Sequence, residues 1–371
     1  MLAPLLKLVA LIGMLAGAVS PAASQPSTPS PNATAESVIR MVETNLATIS
    51  AHQSTVAFGG LWAGPTLCVR CSAGPAVAAS EVAALTGSVA VQDTAIRTFD
   101  YLIAEHYNKE TGTITPPMAG EGGPDIQTAL FDGSLGQATV ALGDRLDAAH
   151  RAAYASVVAS GADFLVRNKN LSWYTNGNIV LANAAAMAFA YQLTNNVTYK
   201  QDYETALQFA TNPPQQRWPG YGLRYTKVPI RADGADGAAF LTEAGTKPGY
   251  DPEYTMMQVD ALGRIYLLNG DPRILRLMNL ETNQLMSRVR KRDWTLDTSG
   301  GTRHPQLGRR VSFDTSALTI LARHGRADLA PLVPPQTAAM VTDYLRNATK
   351  SNLALQYFYG IQPALVLEAA G

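Results

Sequence analysis

Chemistry-bearing side chains concentrate in three short stretches of this chain. The densest is ADGADGAAFLTEAGTKPGYDPEYT, from Ala232 to Thr255. It holds five carboxylates (Asp233, Asp236, Glu243, Asp251 and Glu253), two tyrosines and four glycines. Its last part, Tyr250-Asp-Pro-Glu-Tyr254, reads as a helix start, with Asp251 as N-cap and Pro252 at the first helical position. Tyr254 then falls in the first turn, where its phenol can face a cleft. Tyr250, Asp251 and Glu253 are candidate substrate contacts beside it, although acids at a helix start are also favourable on their own account. The second stretch, Ser172-Trp-Tyr-Thr-Asn-Gly-Asn178, sets aromatics beside amides. A sugar ring can stack on Trp173 or Tyr174 while Asn176 or Asn178 bonds a hydroxyl or a carboxylate. Ordinary capping of the next helix accounts for the same asparagines. The third stretch runs from Thr302 to Arg310. It offers Arg303, Arg309 and Arg310 as guanidinium partners for a carboxylate, and His304 as acid, base or cation. A solvated basic loop is the plainer reading. Trp218, in RWPGYGLRY, is a further sugar platform, and Asp125, with Glu121 and Asp132, falls in a glycine-rich segment suited to a cleft rim.

These stretches sit between long helical patterns. Ile39, Val42, Leu46 and Ile49 repeat at helical spacing from Glu36 to about Gln53. Further helices are predicted at 79–86, 91–107, 125–142, 147–168, 178–194, 200–211, 252–268, 271–290, 312–324, 336–347 and 352–369. Several open on caps such as Asp147 and Asp271. Convincing alternating strands are nearly absent. About a dozen helices with no fixed 34- or 40-residue repeat argue against a solenoid and for an all-α, α/α toroid, an incomplete or complete ring of antiparallel helix pairs. In such a ring the helix ends on one face surround a cleft, which accounts for the long polar loops.

The totals limit the functional classes. With 29 basic and 29 acidic residues the chain is formally neutral, so no electrostatic case exists for nucleic acid. Charged residues are 16% of the total, against ~25% in typical soluble proteins, and hydrophobic residues at 47% are ample for a core. Residues 1–24 read as a secretory signal: Lys7, an apolar run from Leu8 to Val19 too short to span a bilayer, then small residues at Ala22-Ala23-Ser24. A Pro/Ser/Thr linker at 25–35 and a single helical domain at 36–371 follow. Export to the extracellular space or periplasm is therefore expected. Cys68 and Cys71 are the two cysteines, a poor zinc set and, in an oxidising compartment, a local disulfide clamping a loop.

The order of the pieces resembles the helical catalytic domain of the hyaluronan/chondroitin lyases and their toroidal relatives, over roughly residues 170 to 325. There an Asn-Trp-Trp platform and a separate Asn precede an Asp-Gly-Ser-Phe loop, a catalytic His, a Tyr-Thr-Gly-Ala-Tyr run and a Gly-Arg-X-Ile-Ser stretch. Trp173-Tyr174 with Asn176 and Asn178, Asp236-Gly-Ala-Ala-Phe240, Tyr250-Asp-Pro-Glu-Tyr254 and Gly308-Arg-Arg-Val-Ser312 are similar and fall in the same order. The resemblance places Tyr254 at the catalytic tyrosine and Arg309 at the arginine. Where the family has its histidine, this chain has Thr242 or Glu243, and the chain as written is more similar to single-domain lyases acting on alginate or glucuronan.

What the resemblance implies is β-elimination at a uronic acid, with a polysaccharide as the partner and no metal or cofactor required. Asn176 or Asn178, with protonated Glu243, would neutralise the carboxylate. Tyr254 would take the proton and return it to the leaving oxygen, with Arg309 nearby. Two rivals stand beside this: a glycoside hydrolase pairing Glu243 or Glu253 with Asp125 or Asp132, and an inactive glycan-binding protein.

Overall fold

The computed structural model describes residues 33–52, 69–115, 122–172, 176–244, 247–303, 308–313, 316–347 and 353–370. Twelve α-helices lie among them: α1 (Ala33–His52), α2 (Val69–Thr86), α3 (Val89–His106), α4 (Pro124–Leu142), α5 (Ala148–Arg167), α6 (Gly177–Thr194), α7 (Val197–Thr211), α8 (Pro252–Asn269), α9 (Pro272–Met286), α10 (Ser316–Arg323), α11 (Val333–Asn347) and α12 (Leu353–Ala370). They form an α/α toroid, as the helical pattern predicts.

Even-numbered helices make the inner ring and odd-numbered ones the outer layer. α2 packs on α4, α4 on α6, α6 on α8, and α12 closes the circle against α2, with the short α10 wedged between α8 and α12. Sequence explains this sorting. An unbroken run from Gly177 to Ala190 is buried in α6, and α4 is buried from Gln127 to Thr139. α9 is buried at Ile274, from Leu277 to Thr282 and at Leu285, a shorter run than in α4 or α6, and its first and last turns stay more open. Inner helices approach closely where glycine allows it: a Cβ on Gly136 of α4 would lie 2.5 Å from Phe189 Cβ of α6. Gly263 of α8 likewise faces Ile320 of α10 and Leu365 of α12.

Connections alternate in length, which sets where chemistry can occur. Returns from an inner to the next outer helix are tight, spanning 87–88, 195–196 and 270–271. Connections into the inner helices carry the excursions, above all 212–251 before α8 and 287–315 before α10. The first contains the antiparallel pair β3 (Leu223–Lys227) and β4 (Ala238–Leu241). The second contains a three-stranded sheet, β5 (Val289–Arg290), β6 (Thr295–Asp297) and β7 (Arg310–Ser312), in that order. A smaller pair, β1 (Tyr107–Asn108) and β2 (Thr113–Ile114), precedes α4.

Several boundaries differ from the sequence pattern. α1 begins at Ala33, inside the stretch expected as linker. α2 starts ten residues before the predicted 79 and carries Pro75 within it. The lost amide is offset by complete burial of Ala73, Ala76 and Val77. Cys71 lies in the first turn of α2, while Cys68, the linker's earlier part and the signal segment lie outside the described residues. α9 stops at Met286 rather than 290, because Val289 and Arg290 pair with β6. α10 starts at Ser316 rather than 312, because 310–312 is β7. No helix among the described residues is long and apolar enough to cross a membrane.

Candidate active site

The N-terminal end of α8 gathers most of the candidate residues. Asp251 caps the helix: its Oδ1 accepts from the amides of Glu253 and Tyr254, each at 3.2 Å. Its Oδ2 accepts from the Arg303 amide at 2.9 Å, and a Cβ on Gly301 would come within 2.6 Å of that oxygen. Asp251 is thus enclosed, and both oxygens pin backbone. Its part is to fasten the 298–303 turn onto the helix start, where the sequence suggested a substrate contact.

That fastening sets Arg303 beside Tyr254. The guanidinium carbon lies 5.2 Å from the centroid of the half-buried phenol ring, and Nη1 donates to the Ala244 carbonyl at 3.3 Å. Arg309, the position matched by resemblance, has its Nη2 at 2.7 Å from Glu253 Oε1. The cation found over the phenol ring is Arg303, six positions before the expected one in sequence. Tyr250 packs on Phe240 of β4, with the Arg288 guanidinium 5.2 Å from its ring centre. Burial holds its phenol far above the usual range, so it stays neutral.

Behind this front lies Glu243, at 0% exposure. Its Oε1 accepts from the Asn178 amide (2.8 Å) and from Gln258 Nε2 (2.7 Å), joining the starts of α6 and α8. Gly177 adds a bond to the Thr242 carbonyl at 3.1 Å. Burial raises the Glu243 carboxyl to about 8, opposed by those hydrogen bonds and by the Arg303 charge. It is therefore mostly protonated at neutral pH. Glu243 does not face the cleft, which corrects its expected contact with substrate; enclosed in this way it positions the two helix starts instead. Gln258 was not among the sequence candidates. The available signal was its spacing, four residues after Tyr254 on the same helical face.

The two asparagines separate clearly. Asn178 is buried at 6% exposure, its amide donating toward Met257 Sδ at 3.8 Å. It borders an enclosed cavity of about 20 Å³ with Met257, Asp260 and Arg264, room for about one water. Asn176 is the N-cap of α6 by backbone conformation, yet its side chain makes no capping bond and is half-buried at the surface.

Other candidates have partners of their own. Trp218 packs edge-on to Phe209 and Tyr221, with Arg217 over its ring at 5.2 Å. Asp125 sits in the first turn of α4, where Gly123 is the cap. Asp132 lies two turns further along α4 at 1% exposure, packed against Gly161 of α5 rather than on a rim, and burial raises its carboxyl well above the usual range. Arg310 belongs to β7 and approaches Asp297 at 3.8 Å. Trp173, Tyr174, His304 and Glu121 lie outside the described residues.

No protein-family model and no curated protein matches the sequence. Solved structures do resemble the fold. The Streptomyces coelicolor A3 chondroitin AC lyase, determined in complex with chondroitin sulphate, superposes with a TM-score of 0.53 at 17% identity, over 88% of this chain and 46% of the lyase. An unsaturated glucuronyl hydrolase specific for heparin gives 0.51 at 13% identity, over 90% of this chain and 96% of the hydrolase. At these identities the likeness is one of fold: this chain is built on the α/α toroid that also carries glycan lyases and glycan hydrolases.

Proposed function

We propose that this protein is an exported enzyme that degrades an acidic glycan, cutting beside a uronic acid by β-elimination. The observation that carries the reading is the half-exposed Tyr254 phenol in the first turn of α8, with Arg303 held across its ring. Arg303 and the first turn of α8 set a cation and a helix N-terminus beside the ring that carries the reacting phenol. Asn176, the half-buried asparagine whose side chain makes no capping bond, neutralises the uronate carboxylate and so acidifies the adjacent carbon. Tyr254 takes that proton, the electron pair of the broken C–H bond forms a C=C bond, and the glycosidic C–O bond breaks. The same phenol returns its proton to the leaving oxygen. The toroidal lyase and hydrolase likenesses support a glycan substrate, and the leader-like residues 1–24 support export.

A hydrolase reading has one observation in its favour. Glu243 is mostly protonated at neutral pH, the state a general acid needs, and Glu253 lies 2.7 Å from Arg309 Nη2. Complete enclosure of Glu243 counts against it, because a general acid must reach the leaving oxygen. The deciding experiment incubates the protein with acidic and neutral polysaccharides and reads both ultraviolet absorbance from unsaturated ends and total reducing ends. Elimination predicts both signals in step. Reducing ends without the absorbance would replace the lyase by the hydrolase, and neither signal with retained binding would leave a glycan-binding protein.

A further inference from the structure

A shallow, mostly open groove of about 560 Å³ is formed by the β5–β6–β7 sheet and the turn that follows β6. Arg288, Arg290, Arg310, Asp297, Ser299 and Gly300 line it. The chain is neutral as a whole, yet residues 288–310 hold Arg288, Arg290, Lys291, Arg292, Arg303, Arg309 and Arg310 against Asp293 and Asp297 alone. Positive charge is thus gathered on one loop of an otherwise balanced molecule.

The three groove arginines are not equivalent. Arg290 donates to Asp293 Oδ1 at 2.8 Å, and Arg310 approaches Asp297. Arg288 forms no ion pair among the described residues. Its Nη1 donates to the Ser299 carbonyl at 2.6 Å and its guanidinium lies on the Tyr250 ring, so the cation is fixed in place; Asp297 is near enough to feel its charge but is not in direct contact with it. A guanidinium held rigid without a direct carboxylate partner keeps donors for an external anion. The groove is also continuous with the catalytic front: Ser299 and Gly300 line it, Thr302 bonds the Tyr250 carbonyl at 3.2 Å, and Arg303 ends the same turn over Tyr254.

We infer that this groove is an anion subsite, with Arg288 as its principal cation. It takes a sulfate ester or carboxylate carried by a sugar residue flanking the linkage cut at Tyr254. The flanking role rests on the elimination reading above; anion binding itself does not.

The test uses the full chain with Tyr254→Phe, so that no probe is consumed, and titration calorimetry. The probes are chondroitin sulphate oligosaccharides, the same oligosaccharides after chemical desulfation, and neutral cellohexaose. Arg288→Gln weakens binding of the sulfated probe roughly tenfold, and Arg290→Gln roughly threefold because that cation is already shared. Cellohexaose binding is unchanged. A loss confined to the sulfated probe assigns the group as sulfate, and an equal loss on the desulfated probe assigns it as carboxylate. Thermal melts confirm folding of each variant, and Arg290→Gln, which leaves the Tyr250 stack intact, carries the test if Arg288→Gln does not fold. Wild-type affinity of both variants for both anionic probes, an equal loss for cellohexaose, or no binding of the anionic probes by the parent overturns the proposal. Arginine-dependent binding without any unsaturated product from the wild-type chain would keep the groove and remove the lyase. Unsaturated product with arginine-independent binding would do the reverse.

Discussion

At the scale of single residues, Tyr254 and Glu243 divide the chemistry between a group that meets solvent and one that does not. Tyr254→Phe keeps the ring under Arg303 and removes only the hydroxyl. Turnover should fall by roughly 10²- to 10⁴-fold, the range for loss of a general acid–base group, with glycan affinity within a few fold of wild type. A continuous ultraviolet assay alongside calorimetry checks this, and undiminished turnover would exclude Tyr254 as the base. Glu243 is best tested through pH. Its carboxyl rises from an ordinary value near 4.5 to about 8 in the folded chain. Between those values the native state keeps a proton that the unfolded chain has released. This residue's contribution to stability is therefore full below about 4.5 and is lost progressively as pH rises to about 8. Glu243→Gln keeps an oxygen to accept from Asn178 and Gln258 and cannot ionise. Its melting temperature should fall less than that of the wild type between pH 5 and pH 8. Parallel pH curves for the two proteins would show that the carboxyl is ionised in the native state.

At the scale of elements, the site depends on two junctions. One is the cap of α8. Asp251→Ala removes the acceptor for two helix amides and for the Arg303 amide. Loss of a cap alone costs ~1 kcal/mol, and release of the 298–303 turn should also lower turnover by freeing Arg303 from the phenol. Thermal melts and kcat measured together check this; a stability loss with unchanged kcat would mean Arg303 is held by other means. The other junction is where α6 meets β4 and α8. A Cβ on Gly177 would lie 2.7 Å from Leu241 Cβ, an atom fixed to a strand that cannot swing away. At the first position of α6, Gly177→Ala gains less than the ~0.5–1 kcal/mol of a mid-helix site, while the overlap costs ~1–3 kcal/mol. The expected result is a net loss of stability in chemical denaturation.

At the scale of the whole molecule, the ring closes only when α12 packs against α2, although the two are far apart in the chain. Gln137 of α4 donates to Glu368 of α12 at 3.0 Å, and Glu81 of α2 lies close enough for the Glu368 charge to help raise its carboxyl, which burial raises most. Burial likewise lifts Glu368 to about 7. Removing residues 353–371 would uncover α2, take Leu365 away from Gly263 of α8, and leave Gln137 and Glu81 without their α12 neighbour. The truncated chain is expected to lose its cooperative melt and to aggregate on size-exclusion chromatography. A monomeric, cooperatively melting truncation would show that the remaining helices need no closure.

Local pattern by itself determined the helical class, most helix spans, the cap at Asp251 and the first-turn position of Tyr254, because capping and helical periodicity act over a few residues. It also marked the arginine-rich 302–310 stretch. What it could not decide were choices that depend on chain segments tens of residues apart. These include that Arg303 rather than Arg309 meets the phenol, that Glu243 turns inward between Asn178 and Gln258, and that Asn176 rather than Asn178 stays at the surface. The course of α2 through Pro75 and the shortening of α9 and α10 belong here too, since burial against α12 and pairing in a three-stranded sheet outweighed local preference. Propensity is worth a few tenths of a kcal/mol per residue, whereas burying one large side chain is worth ~1.5–3 kcal/mol, so tertiary packing settles such contests.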